Sequence, residues 1–304
     1  GPWAYRRMDG RTGSVEAGRS LRLIDGVRVN FGSVTGRIRR TDHISPLTPT
    51  PPPARHLFKA SPTQSRSLDH CGTCGDTMDG PFMSFSGNSS LRFCRRCVES
   101  LARCDFCCVP IPATAYQYPD GRWSCGHCRT ESIRDPFDLA PLHNAARFFL
   151  FDTMGMHLRP SAQCPLRVST AQAIAQLRGG QFVAERGFTS RELGIFVAGW
   201  AVSPVLGRQN ERFAIYLEDG CPRNMVYGTM VHELTHLWQY DNFPDNGAQH
   251  WVEGLAMWTE YHALAQAGVT TELVQIEERQ DEIYGGGFRR VRALELRHGF
   301  HDTV

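Results

Sequence analysis

The residues best suited to chemistry form one short segment, His232-Glu233-Leu234-Thr235-His236, with an H-E-x-x-H pattern. On a helix, two histidines four positions apart lie one turn above each other, so both imidazoles can reach the same tetrahedral metal ion. Glu233 lies one step around the helix, where its carboxylate can face a water molecule held by that ion. The pattern therefore predicts a zinc site with His232 and His236 as ligands and Glu233 as the catalytic general base.

The sequence around this segment favours the helix that the pattern needs. Apolar residues recur at helical spacing at Val226, Met230, Leu234, Leu237 and Trp238. Asn224 is the predicted N-cap, and Phe243-Pro244 is predicted to end the helix. The alternative interpretation is an amphipathic helix that carries two ordinary histidines.

A second helix is predicted after the turn-rich residues 242–247, and it offers a third ligand. Glu253 follows His236 by seventeen positions, which lets an antiparallel helix bring its carboxylate to the same ion. The core stripe of this helix is predicted to be Trp251, Leu255, Trp258 and His262. The pair H-E-L-T-H and W-V-E-G-L-A resembles the gluzincin metallopeptidases, whose second helix carries a glutamate ligand in an E-G-x-A setting. A metzincin would have a third histidine at position 242, which is Asn242 here.

Nine of the eleven cysteines lie between residues 71 and 128, and eight of them form C-x2-C knuckles. Both halves of this segment have the C-x2-C-x(15–20)-C-x2-C spacing of zinc sites. The two predicted ligand sets are Cys71, Cys74, Cys94 and Cys97, and Cys104, Cys107, Cys125 and Cys128. Four thiolates make a closed, structural zinc site, and in so short a segment the metal supplies most of the folding free energy. A disulfide framework is the alternative; the paired knuckles favour zinc and therefore a reducing, cytoplasmic environment.

The remaining cysteines, Cys108, Cys164 and Cys221, are interpreted as ordinary thiols. His70 and His127 adjoin predicted ligands and are alternative donors, although four cysteines per site already suffice.

Two adjacent zinc sites built from paired knuckles resemble a LIM domain, a class of module that binds proteins. The sequence departs from the usual LIM pattern twice. Cys94 stands where histidine is common, and the spacer at residues 98–103 is six residues long rather than two. A DNA-binding zinc ribbon is the competing interpretation, but Arg92, Arg95 and Arg96 make only a small basic patch. A protein partner is therefore expected, and a nucleic acid is not.

Length and composition bound the rest of the architecture. The chain of 304 residues has room for two domains, carries a net charge of +2, and contains no apolar run long enough to span a membrane. Residues 1–70 contain twelve Lys and Arg against five Asp and Glu, with prolines gathered at 46–53. This composition predicts a disordered, basic, proline-rich arm with a short hairpin around Asp25-Gly26.

Residues 135–304 are predicted to form a zincin-like α+β peptidase domain, in which a small sheet precedes the H-E-x-x-H helix and the glutamate helix. Strands are expected at 166–169, 194–199 and 213–217, and helices at 139–150 and 171–177. In the zincin arrangement a strand borders the cleft and pairs with extended substrate. The strand at 213–217 is the candidate, with a plain core strand as the alternative.

The C-terminal segment adds a charged helix over 272–282 and then the run Tyr284-Gly285-Gly286-Gly287. The three glycines predict a close backbone approach or a sharp turn, followed by a helix over 288–297. Tyr284 is a candidate for the hydroxyl that stabilises the oxyanion, and a tyrosine packed at a helix end is the alternative. Glu260 is a candidate acceptor that orients a ligand histidine. Less favoured candidates are His262, His298 and His301.

The order of these features resembles the DA-one peptidases, the plant LIM-containing, ubiquitin-activated proteases that restrict organ growth, together with their bacterial relatives. The resemblance covers residues 71–300 and lies in the motif order: a LIM-like double zinc module over 71–130, then H-E-L-T-H-L-W, E-G-L-A and Y-G-G-G-F-R. It implies a metallopeptidase that hydrolyses protein or peptide substrates, with one catalytic and two structural zinc ions. The acidic ubiquitin-interacting helices of the plant proteins are not visible in this sequence, so activation by ubiquitin is not expected and a bacterial-type relative is favoured.

Two alternatives stand beside this prediction. In the first, the LIM-like module is the working part of a zinc adaptor and the peptidase domain is silent. In the second, the basic arm and the zinc knuckles belong to a nucleic-acid-associated regulator. In the enzyme itself, the module would serve partner recognition or autoinhibition. Three zinc ions per chain would support the enzyme, and two would support the adaptor.

Overall fold

The computed structural model describes residues 3–6, 12–15, 28–31, 34–37, 70–78, 81–85, 88–160, 163–184, 193–203, 207–243 and 248–300. Its first compact unit, residues 1–50, contains an antiparallel sheet in the order β2-β1-β3-β4. The strands are β1 (Trp3–Arg6), β2 (Thr12–Val15), β3 (Arg28–Phe31) and β4 (Val34–Arg37). They differ from the predicted disordered arm, because short runs of β-favouring residues can form strands in a segment that is rich in charge and proline overall. The predicted turn at Asp25-Gly26 lies outside the described residues.

The second compact unit begins at residue 51 and is described from His70 onward. Its cysteine-rich segment repeats one order of elements twice: a knuckle, a hairpin and a short helix. The first lobe (residues 71–100) contains β5 (Phe82–Phe85), β6 (Asn88–Cys94) and α1 (Arg95–Ser100). The second lobe (residues 104–130) contains β7 (Tyr116–Gln117), β8 (Trp123–Ser124) and α2 (Gly126–Thr130). Cys94 and Cys125 are the N-cap residues of α1 and α2, so each lobe brings two cysteines from a loop and two from a helix start.

The next helix, α3 (Pro136–Phe148), follows the prediction for residues 139–150 but begins earlier. Its N-cap is Asp135, whose Oδ1 accepts a hydrogen bond from the backbone N–H of Phe137 at 2.9 Å, and Pro136 occupies the first helical position. A π-helical turn, Phe149–Thr153, continues the helix. No described helix is long and apolar enough to cross a membrane.

A three-stranded sheet lies before the H-E-x-x-H helix. It contains β9 (Leu166–Ser169), β10 (Gly194–Ser203) and β11 (Gly207–Glu218), and the helix α4 (Ala171–Leu177) follows β9. The order is β10-β11-β9, with β10 antiparallel and β9 parallel to β11. The strand predicted to border the cleft, residues 213–217, is thus the central strand and is buried at Phe213, Ile215 and Leu217. The edge strands of this sheet are β10 and β9, whereas the central strand has both hydrogen-bonding edges paired and cannot receive another chain.

The remaining helices are α5 (Arg223–Asn242), α6 (Gln249–Ala267), α7 (Thr271–Glu278) and α8 (Tyr284–His298). α5 and α6 are antiparallel, since Gln239 near the end of α5 contacts Val252 near the start of α6, whereas Gly228 faces Glu260. The predicted end of α5 before Pro244 is confirmed. The predicted N-cap is wrong: Pro222 precedes the first turn, and the Asn224 side chain instead hydrogen-bonds Glu272 of α7.

The predicted core stripe of α6 is only partly correct. Trp258 is fully buried, but Trp251 is 42% exposed. The buried face consists of Gly254, Ala256, Met257, Trp258, Thr259, Ala263, Leu264 and Ala267. Small residues dominate this face because α6 lies between α5 and α8 and must approach both closely.

The closest approach joins Gly254 of α6 to Gly287 of α8. A Cβ added to Gly287 would lie 2.1 Å from the backbone oxygen of His250, and one added to Gly254 would lie 2.5 Å from the Gly287 carbonyl carbon. Two of the three glycines after Tyr284, Gly285 and Gly287, therefore serve close backbone approaches, as predicted, since a Cβ at Gly285 would lie 2.0 Å from the backbone oxygen of Arg279. They do so inside α8, which begins at Tyr284, and not in a turn that precedes it.

The second lobe packs directly on the turn that leads from β11 into α5. The buried guanidinium of Arg122 contacts the carboxylate of Glu218 at 2.6 Å and that of Asp219 at 2.6 Å, and its Nε contacts Asp120 at 2.7 Å. Backbone hydrogen bonds join Ile133 N to Cys221 O and Arg223 N to Glu131 O, each at 2.9 Å. One cluster of buried side chains runs from the cysteine-rich segment into the helices. The predicted modules 71–130 and 135–304 thus share a core.

The glycine crossing generates a test of the fold. Gly287→Ala should lower the free energy of unfolding by about 2 kcal/mol or more, because the new methyl group meets backbone atoms that cannot move independently. Gly286→Ala is the matched control: its Cβ would meet only the Glu282 carboxylate at 3.1 Å, and alanine favours the helix by up to about 1 kcal/mol. Urea unfolding monitored by circular dichroism measures both. Equal stability of the two variants would contradict the crossing.

Candidate metal centre

Helix α5 presents His232 and His236 on one face. Its other face buries Val226, Met230, Leu234 and Leu237, so the amphipathic pattern predicted from sequence fixes the rotation of the helix. The two imidazole rings lie 4.8 Å apart between centroids, in an edge-to-face arrangement. Both rings face α6.

Glu253 of α6 completes a set of three donors. Its Oε2 lies 3.2 Å from Nε2 of His232 and 3.3 Å from Nε2 of His236. Metal–ligand distances of about 2.0–2.1 Å in a tetrahedral zinc site place neighbouring donor atoms about 3.3–3.4 Å apart. The donor atoms of His232, His236 and Glu253, which lie within 4.8 Å of one another, can therefore hold a metal ion.

The other ring nitrogens of the two histidines also have partners. Nδ1 of His232 lies 3.2 Å from Oε2 of Glu260, and Nδ1 of His236 lies 2.7 Å from Oε1 of Gln239. A proton held on Nδ1 leaves the lone pair of Nε2 directed toward the donor set. The predicted contact between Glu260 and a ligand histidine is confirmed; the contact with Gln239 was not predicted.

Charge is concentrated at this site before any ion binds. Burial alone would lower the pKa of His232, but hydrogen bonds with Glu253 and Glu260 outweigh it and raise the pKa to about 10. Burial would raise the pKa of Glu253, but hydrogen bonds with His232 and His236 hold it well below its usual value. These contacts favour a proton on His232 beside the Glu253 carboxylate, and a proton on Nε2 must leave before that nitrogen can bind a metal ion.

The Glu233 side chain contacts β10. Its Oε2 accepts a hydrogen bond from the backbone N–H of Phe196 in β10 at 2.7 Å, and its side chain is buried. Gly194 allows this approach of β10 to α5, because an added Cβ would lie 2.5 Å from Thr229 and 3.3 Å from the Glu233 side chain. The carboxylate of Glu233 is therefore held between α5 and the outer edge of β10.

A cavity of about 540 Å³ opens beside these groups, and its lining includes Cys108, His232, Glu233, Glu260 and Tyr284. The ring of Tyr284 lies 6.3 Å from that of His232, and the Arg279 guanidinium lies 4.1 Å above the Tyr284 ring. The structure thus places Tyr284 at the same cavity as His232 and Glu233 of α5. His262 lies elsewhere, 3.2 Å from Glu295, and His301 lies outside the described residues.

The eight predicted knuckle cysteines form two four-sulfur clusters, one in each lobe. The clusters are Cys71, Cys74, Cys94 and Cys97, and Cys104, Cys107, Cys125 and Cys128. The Sγ atoms of Cys74 and Cys94 lie 3.8 Å apart and those of Cys107 and Cys125 lie 3.6 Å apart, close to the separation of about 3.8 Å that zinc–sulfur distances of about 2.3 Å require. Both clusters can bind a metal ion. None of the eleven cysteines is paired in a disulfide bond, and the eight knuckle cysteines are gathered in the two clusters, as the zinc interpretation predicts.

Backbone N–H groups favour thiolates in both clusters. Cys94 N donates to Cys71 Sγ at 3.4 Å, and Cys125 N donates to Cys104 Sγ at 3.3 Å. Burial opposes ionisation of Cys71, but backbone hydrogen bonds from Cys94, Cys74 and Thr73 lower its pKa to about 6. Neither His70 nor His127 belongs to a group of metal-binding side chains among the described residues.

The leftover cysteines occupy different environments. Cys164 and Cys221 are buried, and burial raises the pKa of Cys164 to about 11, as expected for an inert thiol. Cys108 has a positive φ of 62° and lines the cavity, so the second lobe forms part of the cavity wall. In the sequence Cys108 only adjoins the knuckle residue Cys107, and that adjacency does not predict that Cys108 lines a cavity.

Comparison of the chain with protein-family models, curated proteins and solved structures finds no match. The class of the site is therefore defined by its own geometry: two imidazoles and a carboxylate that can hold one metal ion, with a second carboxylate at the edge of a cavity.

The charge state of His232 predicts the pH dependence of metal binding. Because the His232 pKa of about 10 lies above neutrality and that of Glu253 lies far below it, each ion bound at neutral pH displaces at least one proton, from His232. Zn²⁺ affinity at this site should fall about tenfold for each unit by which the pH is lowered from 8 to 6. Chelator competition with both cysteine clusters filled measures this, and a constant dissociation constant would contradict it.

The docking of the second lobe predicts unequal effects of its cysteines. Cys107→Ala should release metal from the second lobe and also weaken Zn²⁺ binding at His232, His236 and Glu253, because the Arg122 contacts position the start of α5. Cys74→Ala in the first lobe is the matched control and should cost only the metal of its own cluster. Metal content by mass spectrometry distinguishes the variants; equal losses would mean that the lobes are equivalent.

Proposed function

We propose that this protein is a zinc-dependent metallopeptidase that hydrolyses peptide bonds of protein substrates. The observation that carries the proposal is the meeting of Nε2 of His232, Nε2 of His236 and the Glu253 carboxylate at tetrahedral donor spacing, with Glu233 beside them at a cavity. In a structural zinc site a fourth protein ligand would complete the tetrahedron around the ion. Three protein donors would leave the fourth coordination position open to water or substrate.

The donor set fits zinc in type as well as spacing, since imidazole nitrogen and carboxylate oxygen are its usual catalytic ligands. When bound, zinc supplies a Lewis acid that polarises a substrate carbonyl and acidifies water. His232, His236 and Glu253 hold the ion. Glu260 and Gln239 hold the protons on the outer nitrogens of the two imidazoles.

Glu233 is the proposed general base. Its carboxylate takes a proton from the attacking water and delivers it to the leaving amine, as an acid–base group at the edge of a cleft can do in both directions. The hydrogen bond from Phe196 N–H holds one carboxylate oxygen, which leaves the other oxygen for proton transfer. Tyr284, at the same cavity, is the proposed donor to the developing oxyanion.

The edge strand β10 is the proposed binding surface for extended substrate. In an antiparallel pair, alternate residues direct their backbone groups away from the partner strand. Phe196 N–H points away from β11 to Glu233, so Gly194 and Ala198 share its outward direction. A substrate strand that pairs with this edge would pass directly beside the base.

The sheet β9–β11 followed by α5 and α6 is consistent with a zincin-like fold, and the motif order supports membership of the DA-one type of LIM-containing peptidases. The cysteine-rich lobes then bind two structural zinc ions, and the LIM-like module serves partner recognition or autoinhibition. Because thiolate ligation needs reduced cysteines, the two four-cysteine clusters support a reducing compartment such as the cytoplasm.

The decisive variant is Glu233→Gln. It should retain as much zinc as the wild type and lose turnover of a denatured, fluorescently labelled casein by about a hundred- to ten-thousand-fold, because the amide cannot accept the proton. Glu99→Gln, which changes an exposed glutamate of α1 in the same way, is the control and should keep full activity. Undiminished turnover by Glu233→Gln would remove the proposed mechanism. Zinc at the third site without any hydrolysis by the wild type would favour the adaptor.

A further inference from the structure

Gln239 lies three residues after His236 on α5, and both ends of its buried side chain are bonded. Its Oε1 lies 2.7 Å from Nδ1 of His236, and its Nε2 donates to the backbone oxygen of Val252 at 2.8 Å. Only 5% of its surface is exposed. Val252 immediately precedes Glu253, so one side chain contacts a ligand histidine and the backbone that carries the third ligand.

The hydrogen bond to Val252 determines which end of the Gln239 amide faces His236. The Val252 carbonyl can only accept, so the amide nitrogen of Gln239 must face it and the amide oxygen must face His236. An amide oxygen can only accept, so Nδ1 of His236 must carry a proton. Nε2 of His236 is then the nitrogen available to a metal ion, on the side where Glu253 lies 3.3 Å away.

The partner of the other ligand histidine differs in charge. His232 is bonded through Nδ1 to the carboxylate of Glu260, whereas His236 is bonded to a neutral amide. The amide supplies the acceptor without adding a fourth carboxylate to the three that already surround the site, Glu233, Glu253 and Glu260. It also supplies a donor, which a carboxylate could not, and that donor ties α5 to α6.

We propose that Gln239 is a positioning residue of the metal centre, which fixes the coordinating nitrogen of His236 and sets α6 so that Glu253 reaches both imidazoles. The proposal rests on the metal site of the proposed function and not on its peptidase activity. No substrate contact is assigned to Gln239; it acts through His236 and through the first turn of α6.

The test uses Gln239→Met, which keeps the length of the side chain and removes both hydrogen bonds. Zn²⁺ affinity of the His232, His236 and Glu253 site, measured by chelator competition with the cysteine clusters filled, should fall about 10- to 100-fold. Amide hydrogen exchange in the first turn of α6 should accelerate in protein whose third site is empty. The matched control is Thr235→Val, since Thr235 is also fully buried on α5 but its hydroxyl bonds only the Val231 carbonyl, at 2.8 Å.

A second variant separates positioning from packing. Gln239→Glu keeps the acceptor for His236 but loses the donor to Val252, so its Zn²⁺ affinity should be closer to wild type than that of Gln239→Met, with the faster exchange in α6 retained. Affinity and exchange in Gln239→Met equal to those in Thr235→Val would overturn the proposal, as would equal affinities of the Met and Glu variants. If Gln239→Met does not fold, the Glu variant alone decides by its exchange in α6.

These measurements do not depend on catalysis. A wild type that binds zinc and hydrolyses no peptide would remove the peptidase and leave the role of Gln239 intact. A wild type that binds no metal at His232, His236 and Glu253 would overturn the proposal, because there would be no metal centre to position. Hydrogen exchange would then report only that Gln239 joins α5 to α6.

Discussion

The structure depends on holding α6 close to two other helices at once. Glu253 must reach imidazoles on α5, while the next residue, Gly254, meets the backbone of Gly287 on α8. Donor atoms about 3.2 Å apart across two helices tolerate little displacement, because the metal–ligand distances vary by only about 0.2 Å. The contact between Gly254 and Gly287 fixes the distance between α6 and α8, because no side chain lies between the two backbones that could adopt another rotamer.

The second lobe imposes a similar constraint on the other end of α5. Arg122 is buried against Glu218, the last residue of the central strand, and contacts the half-buried Asp219, which lies four residues before α5 begins. A buried ion pair contributes little net stability but is costly to break, so it fixes geometry more than it adds free energy. The cysteine-rich segment, whose clusters can bind metal ions, is consequently also a support for the histidine helix.

Some of these features follow from local sequence and others do not. Two histidines four apart, the paired cysteine knuckles and the strand and helix at Leu166–Ser169 and Ala171–Leu177 depend on spacing within one element, and the structure has all of them. The edge position of β10 depends on sheet order, which no strand encodes by itself. Helical periodicity predicts Trp251 in the core stripe of α6, but the residue is exposed. The prediction is wrong because periodicity does not show that a helix packs against neighbours on two sides. Gln239 could have been noticed, since three residues after His236 is the same helix face; its partner on α6 could not.

The repeated order of elements in the two lobes has a consequence for how this chain can change over generations. The second copy is joined to the end of the central strand through Arg122 and lines the cavity through Cys108, so substitutions there disturb the support of α5 or the cavity wall. The first copy bonds to the second through Thr73 and Pro110 and exposes Phe82 and Met83. Substitutions should therefore be tolerated more readily on the surface of the first copy than in the second, although both copies have the same order of elements.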